Sequence, residues 1–262
     1  MIRIRRSFLM IMVTFSILLP IRCFPGEFQT LRPSKWENAV TLYLWLPALN
    51  GTLGVADRNA GINSSISDAW NALSKLKGGF AGHYEGQNGR WGVIGDLLYI
   101  NLQGNTTFAG RNLGIAPNQT IGEVAGSYSI SSAAEGSNIL ADTQALIGLR
   151  ITDVGINITG PNRSASGSQT WVDPFVGLRF RRVITDRWMA SLRTDVGGFG
   201  IGGASHLVYN VVADARYGFS NQWAVDLGWR WLDYVHSNGT GSNAFRYDIL
   251  MQGPFSGITY TW

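Results

Sequence analysis

The feature that most constrains this chain is a period-two alternation of apolar and polar residues, recurring along nearly its whole length. In 223–231, Trp223, Val225, Leu227, Trp229 and Trp231 share one phase, and Asp226, Gly228 and Arg230 hold the other. In 207–219, Leu207, Tyr209, Val211, Ala213, Ala215, Tyr217 and Phe219 oppose Asn210, Asp214, Arg216 and Gly218. In 172–180, Val172, Pro174, Val176, Leu178 and Phe180 oppose Asp173, Gly177 and Arg179. Side chains of a strand point alternately to its two faces, so each segment is a strand with one apolar face. Ten segments read this way: 36–48, 76–87, 90–103, 122–134, 139–153, 171–184, 187–198, 206–219, 222–235 and 245–262. The links near Asn88-Gly89, Glu135–Asn138, Thr185-Asp186 and Ser220–Gln222 have hairpin length, whereas 49–75, 104–121, 154–170, 199–205 and 236–244 are mostly longer.

Composition decides what kind of strand protein this is. Charged residues make up 15% of the chain, against roughly 25% in an ordinary soluble domain. The only lysines are Lys35, Lys75 and Lys77, so the polar faces carry Arg, Asp, Gly and Ser instead of the Lys that bulk water favours. The mean hydropathy of +0.03 excludes a bundle of membrane helices, and the composition excludes a disordered chain, a coiled coil or a disulfide scaffold. An even strand number with short links on one side and longer loops on the other is the layout of an outer-membrane barrel. The expected fold is therefore all-β: a closed antiparallel transmembrane β-barrel of about ten strands, with eight or twelve as alternatives. A soluble exported barrel of lipocalin type is a further alternative. Both chain ends fall on the short-turn, periplasmic side. Trp36, Trp91, Trp188, Trp223 and Trp262 all lie at that end of their strands and in apolar phase, as a membrane-interface girdle requires. Tyr99, Tyr209, Trp229 and Trp231 would form part of the opposite girdle.

Residues 1–26 read as an export signal of uncertain cleavage site: Arg3, Arg5 and Arg6 precede an apolar stretch from Phe8 to Leu19, too short to span a bilayer. Residues 27–35 then form a short periplasmic segment and 36–262 the barrel. Arg22 before Cys23, the only cysteine, argues against lipidation. The segment holds four of the 21 basic residues and no acidic one, so 17 of each sign remain beyond it. That balance gives nucleic acid no basic face and implies mutual pairing.

The polar phase supplies a candidate lumen charge network of Glu85, Asp96, Asp142, Arg150, Asp173, Arg179, Arg181, Arg193, Asp195, Asp214, Arg216, Asp226, Arg230, Arg246 and Asp248. Enclosed charges must pair or meet water, and small barrels are filled by their own side chains. The primary expectation is thus an occluded lumen and a structural or surface-interaction role. A narrow channel for ions or small solutes is the alternative. His83 shares a phase with Glu85 as a network member. His206 and His236, with Asp233 and Ser237, lie at the outward strand ends and are the weak catalytic candidates for a hydrolase of lipase or protease type. Gly197 to Gly203 has no following helix, so a tight extracellular turn is expected there rather than a nucleotide loop. A short helix is expected over 67–76, capped by Ser67 or Asp68. A break in phase at Gly253-Pro254 predicts a bulge. No metal-ligand spacing occurs, and no cofactor is expected.

Several stretches resemble a group of largely uncharacterised bacterial outer-membrane β-barrel proteins. They are Tyr43-Leu-Trp-Leu-Pro47 with Gly51-Thr-Leu-Gly-Val55, then Trp171-Val-Asp-Pro-Phe-Val-Gly-Leu-Arg179, Asp195-Val-Gly-Gly-Phe-Gly200, Gly228-Trp-Arg-Trp-Leu-Asp-Tyr234 and Gly253-Pro-Phe-Ser-Gly257. The resemblance covers roughly 41–262, is strongest after 171, and departs from the group in ending on Trp262 rather than Phe. It implies a fold and a location, with outer-membrane lipids, lipopolysaccharide and the barrel-assembly machinery as partners. It implies no activity.

Overall fold

The computed structural model describes residues 31–56, 58–73, 78–101, 104–108, 111–132, 141–159 and 164–262. The export-signal expectation and the turn at Glu135–Asn138 lie outside them. The strands are β1 (Glu37–Trp45), β2 (Ala48–Val55), β3 (Arg58–Asn63), β4 (Gly78–Asn88), β5 (Trp91–Asn101), β6 (Gly104–Phe108), β7 (Arg111–Ser132), β8 (Ala141–Thr159), β9 (Ser164–Thr185), β10 (Trp188–Gly197), β11 (Leu207–Gly218), β12 (Trp223–Asn238) and β13 (Phe245–Thr261). One helix, α1 (Ile66–Leu73), lies between β3 and β4. Each barrel strand pairs antiparallel with its neighbour, and β13 returns to β1, so the sheet closes.

Ten strands make the wall, because β1 and β2 act as one. The register on β13 runs from Ala39↔Thr261 to Trp45↔Phe255 and resumes at Ala48↔Gln252 without a shift. Leu46 and Pro47 interrupt the strand, but Leu46 N–H still donates to Pro254 O at 3.0 Å. β3 and β6 are additional strands flanking β2 and β7. No helix among the described residues is long and apolar enough to cross a membrane; the crossing is made by strands.

The expected bulge at Gly253-Pro254 does not exist. β12 and β13 keep one register from Trp223↔Tyr260 to Asn238↔Phe245. The break in the sequence pattern marks a change of surroundings, not of geometry. Phe245, Tyr247, Ile249 and Met251 are buried inside, while Arg246 and Asp248 are exposed outside and pair with each other at 3.2 Å. This corrects their placement in the lumen network. Here the wall stands clear of the apolar belt, so its outer face meets water and its inner face packs a core. Gly253 faces the interruption in the neighbouring strand: a Cβ there would meet the Leu46 carbonyl oxygen at 2.0 Å. Gly253→Ala should therefore destabilise the barrel by roughly 1–3 kcal/mol, read as a lowered midpoint for loss of the compact form on heating in detergent.

The outer surface carries a continuous apolar belt. Val40, Leu42 and Leu44 on β1, Val124 on β7, Ile147, Leu149 and Ile151 on β8, and Val176, Leu178 and Phe180 on β9 are all exposed. An apolar surface of this extent is not compatible with water. At the short-turn end it is edged by Trp36, Trp91, Trp188, Trp223 and Trp262, which are 41–66% exposed. Trp91, Trp188 and Trp223 lie opposite Tyr128, Tyr217 and Tyr260 in the register, with ring centroids 4.7–4.9 Å apart. A crossing strand needs about 9–11 residues. β7, β8 and β9 have 22, 19 and 22, so roughly half of each stands beyond the belt on the long-loop side. There the walls close inward: β2 and β9 touch, and a side chain added at Gly167 would come within 2.9 Å of Val55 Cγ1.

Helix α1 begins one residue earlier than expected and is capped by Ser65, not by Ser67 or Asp68. The Ser65 hydroxyl accepts from Asp68 N–H at 3.2 Å, while the Ser65 N–H donates to the Asp68 carboxylate at 2.7 Å. That reciprocal arrangement is a capping box, and the Ser65 hydrogen bonds hold the Asp68 carboxyl below its ordinary range. Trp70 is 62% exposed on this helix.

Candidate functional site

The lumen is where the chemistry concentrates. A row of register partners crosses five adjacent strands, His83↔Asp96↔Glu123↔Arg150↔Asp173, on β4, β5, β7, β8 and β9. All five side chains project inward because they share the phase opposite to the apolar belt. Glu123 is the hub. Its Oε1 accepts from Arg150 Nε at 2.8 Å and Arg230 Nη2 at 2.9 Å, and its Oε2 from Arg193 Nη2 at 2.8 Å. Asp195 completes the cluster, accepting from Arg150 at 2.7 Å, Arg193 at 2.9 Å and Asn210 at 2.9 Å. Arg150 is wholly buried, with its guanidinium 5.0 Å from the centre of the Phe175 ring. Asp96 takes hydrogen bonds from Tyr43 at 3.0 Å and Arg230 at 3.4 Å. His83 bridges Asp96 at 3.2 Å and Glu85 at 3.5 Å.

Toward the short-turn end a second group gathers on Asp142, whose side chain is fully enclosed. It accepts from Arg181 at 3.0 Å, Ser129 at 3.0 Å and Arg32 at 3.1 Å. Arg32 reaches in from ahead of β1, and Arg181 also donates to Leu31 O at 3.1 Å. Leu31 and Arg32 are thus tied to the inside of the barrel end. Arg179 contacts Glu85 and donates to Gln144 at 2.6 and 2.9 Å. Arg216 pairs with Asp226 at 2.6 Å, and Ser191 donates to Asp214.

Toward the long-loop end the filling is apolar and aromatic. Trp171 stacks on His236 with centroids 4.1 Å apart and is edged by Tyr234, Phe245 and Tyr247. Leu232, Ile249 and Met251 pack behind them. Asp173 is held by Trp171 Nε1 at 3.0 Å and by Ser205, through N–H at 2.6 Å and hydroxyl at 2.9 Å.

Thirteen of the fifteen charged candidates therefore line the interior, all but Arg246 and Asp248. Sequence reasoning missed Glu123, Arg32, Tyr43, Gln144 and Asn210. The catalytic candidates do not converge. His206 and Ser237 meet at 3.1 Å on the exposed rim, His236 is buried against Trp171, and Asp233 lies on the outer phase of β12. Among the described residues no group of three or more His, Cys, Asp or Glu could hold a metal ion.

The fold and its lining define a class: an integral outer-membrane-type β-barrel whose lumen is charge-paired and largely occluded. No protein-family model and no curated protein matches the chain. Among solved structures, the outer membrane protease OmpT from Escherichia coli superposes with a TM-score of 0.54 at 10% identity, covering 89% of this chain and 99% of that one. The translocator domain of the autotransporter NalP from Neisseria meningitidis gives 0.37 at 11% identity over 87% and 88%. The attachment invasion locus protein Ail of Yersinia pestis, solved with a heparin analogue, gives 0.35 at 11% over 87% and 98%. The OmpT match supports the barrel fold and nothing more specific.

Proposed function

We propose that this chain resides in the bacterial outer membrane as a structural or surface-interaction barrel and not as an open channel. The observation that carries this reading is the stacking of two kinds of filling in one lumen: the Glu123 ion cluster lies beneath the Trp171–His236 aromatic layer. Either alone would impede solutes. Together they leave no wide water column, unlike the sixteen- and eighteen-stranded porins. The tall β7–β9 wall is the part offered to the surroundings.

The alternating last strand with Trp262 at its end suits reading by the barrel-assembly machinery, and the long-loop rim would face lipopolysaccharide. Membership in the outer-membrane group that the motifs resemble is supported by where those residues fall. Trp45 Nε1 donates to Gly253 O at 3.2 Å, a Cβ on Gly228 would meet Phe255 at 2.5 Å, and Arg230 binds the Glu123 hub. These three motifs thus stand at points of close approach.

Refolded protein in planar bilayers should give no steady conductance on the scale of an open porin. Porin-like steps in the parent protein would overturn the occluded reading. Small steps altered by Arg179→Ala, Arg193→Ala and Arg230→Ala would favour the narrow channel.

A further inference from the structure

Between the Glu123 cluster and the short-turn end lies a cavity of about 110 Å³, room for several waters or one small ion with part of its hydration shell. Its lining is unusual in one respect. Arg179 on β9 and Arg193 on β10 are direct register partners with both side chains inward, and Arg181 is the next inward residue on β9. Like charges placed opposite each other across a sheet repel, so three adjacent guanidiniums call for anions.

The anions at hand leave donors over. Arg181 spends its contacts on Asp142 and Leu31 O, and Arg193 on Glu123 and Asp195. Both arginines are more than nine-tenths buried and line the cavity; the Nε of each has no hydrogen-bond partner but is itself closed off, so an anion in the cavity would be met by the terminal Nη groups. A guanidinium N–H without an acceptor is costly in such a place. Four carboxylates also line the cavity. Glu85 is taken by Arg179 and His83, Asp96 by Tyr43, His83 and Arg230, and Asp226 by Arg216 and Thr259. Asp214, held by the Ser191 hydroxyl, is the carboxylate an incoming anion would oppose.

We propose that this cavity binds a small oxyanion of the phosphate or carboxylate class, coordinated by Arg179, Arg181 and Arg193. The planar fork of a guanidinium matches an oxyanion in two contacts, which chloride does not offer. The site stands independently of the occluded-lumen reading: binding without conductance is consistent with both, and binding with porin-like conductance removes that reading alone.

The test is calorimetric titration of the refolded full chain in detergent with inorganic phosphate, against chloride at equal ionic strength. Saturable phosphate binding in roughly the millimolar range is expected, with none for chloride. Arg179→Gln should weaken it about tenfold, and Asp214→Asn, which removes the opposing charge, should tighten it severalfold. Absence of saturable phosphate heat, equal binding of chloride, or an affinity that Asp214→Asn leaves unchanged each overturns the proposal. The Asp214→Asn arm decides the matter even if Arg179→Gln fails to fold.

Discussion

Glu123→Gln should lower the unfolding free energy by about 3–5 kcal/mol, the usual cost of removing one partner from a buried ion pair. The same carboxylate-to-amide change at Asp248 should cost about 1 kcal/mol or less, because that side chain and its partner Arg246 both lie on the water-facing outer surface and can be screened. Glu123 is isosteric with Gln, so no cavity is made and packing is not at issue. What changes is charge and donor count. Arg150, Arg193 and Arg230 all donate to the two carboxylate oxygens of Glu123, and a Gln amide would turn an NH₂ group toward one of these donors. Three enclosed arginines would then share Asp195 and Asp96. Adding Arg150→Met restores equal numbers of each sign, leaving Arg193 with Asp195 and Arg230 with Asp96, and puts a thioether over the Phe175 ring where the guanidinium lay. The double variant should recover more than half of the loss. Urea unfolding of the three variants and the parent in lipid vesicles, followed by Trp fluorescence, measures this. Equal losses for Glu123→Gln and Asp248→Asn would mean that the Glu123 cluster is wetted and not a filling.

The belt and the short-turn girdle were legible in the sequence because membrane strands obey one rule on each face. Where that rule lapses, legibility went with it. The upper parts of β7, β8 and β9 rise beyond the belt, and stretches such as Ser164–Thr170 show no one-sided apolar face, so they read as loops. The alternation in β13 is geometrically unbroken, but its meaning reverses above the belt. This is why Arg246 and Asp248 read as inward when they are outward. In the sequence the first strand ends at residue 48; only its partner β13, some 200 residues away, reveals that it continues to Val55. The missed hub had a signal. Glu123 is the only acidic residue between Asp96 and Glu135, and it stands in the phase opposite Val124. Arg32 had none, since it precedes the first strand and meets Asp142 only through closure of the barrel.

Ile147→Arg should destabilise the protein in lipid vesicles by roughly 2–4 kcal/mol, the cost of a cationic side chain at the middle of a barrel's lipid face. Ile147 is 68% exposed, the most exposed of the aliphatic residues in the belt. Along the outer phase of β8 it lies between Thr143 and Asp153, the polar residues that mark the two edges of the belt there. Its side chain has no lumen to turn into, because its neighbours Leu146 and Gly148 occupy the inward phase. The matched control is Thr170→Arg on β9. Thr170 is also exposed and outward, but it lies beside Asp153, to which it donates a hydrogen bond. An arginine there should cost about 0–1 kcal/mol and can pair with the carboxylate. A water-exposed outer surface would reverse the first expectation, since replacing an exposed isoleucine by arginine in water is close to neutral. Equal stability of the two variants would therefore mean that the isoleucines and leucines of β8 do not face hydrocarbon, and the membrane assignment would fall with them.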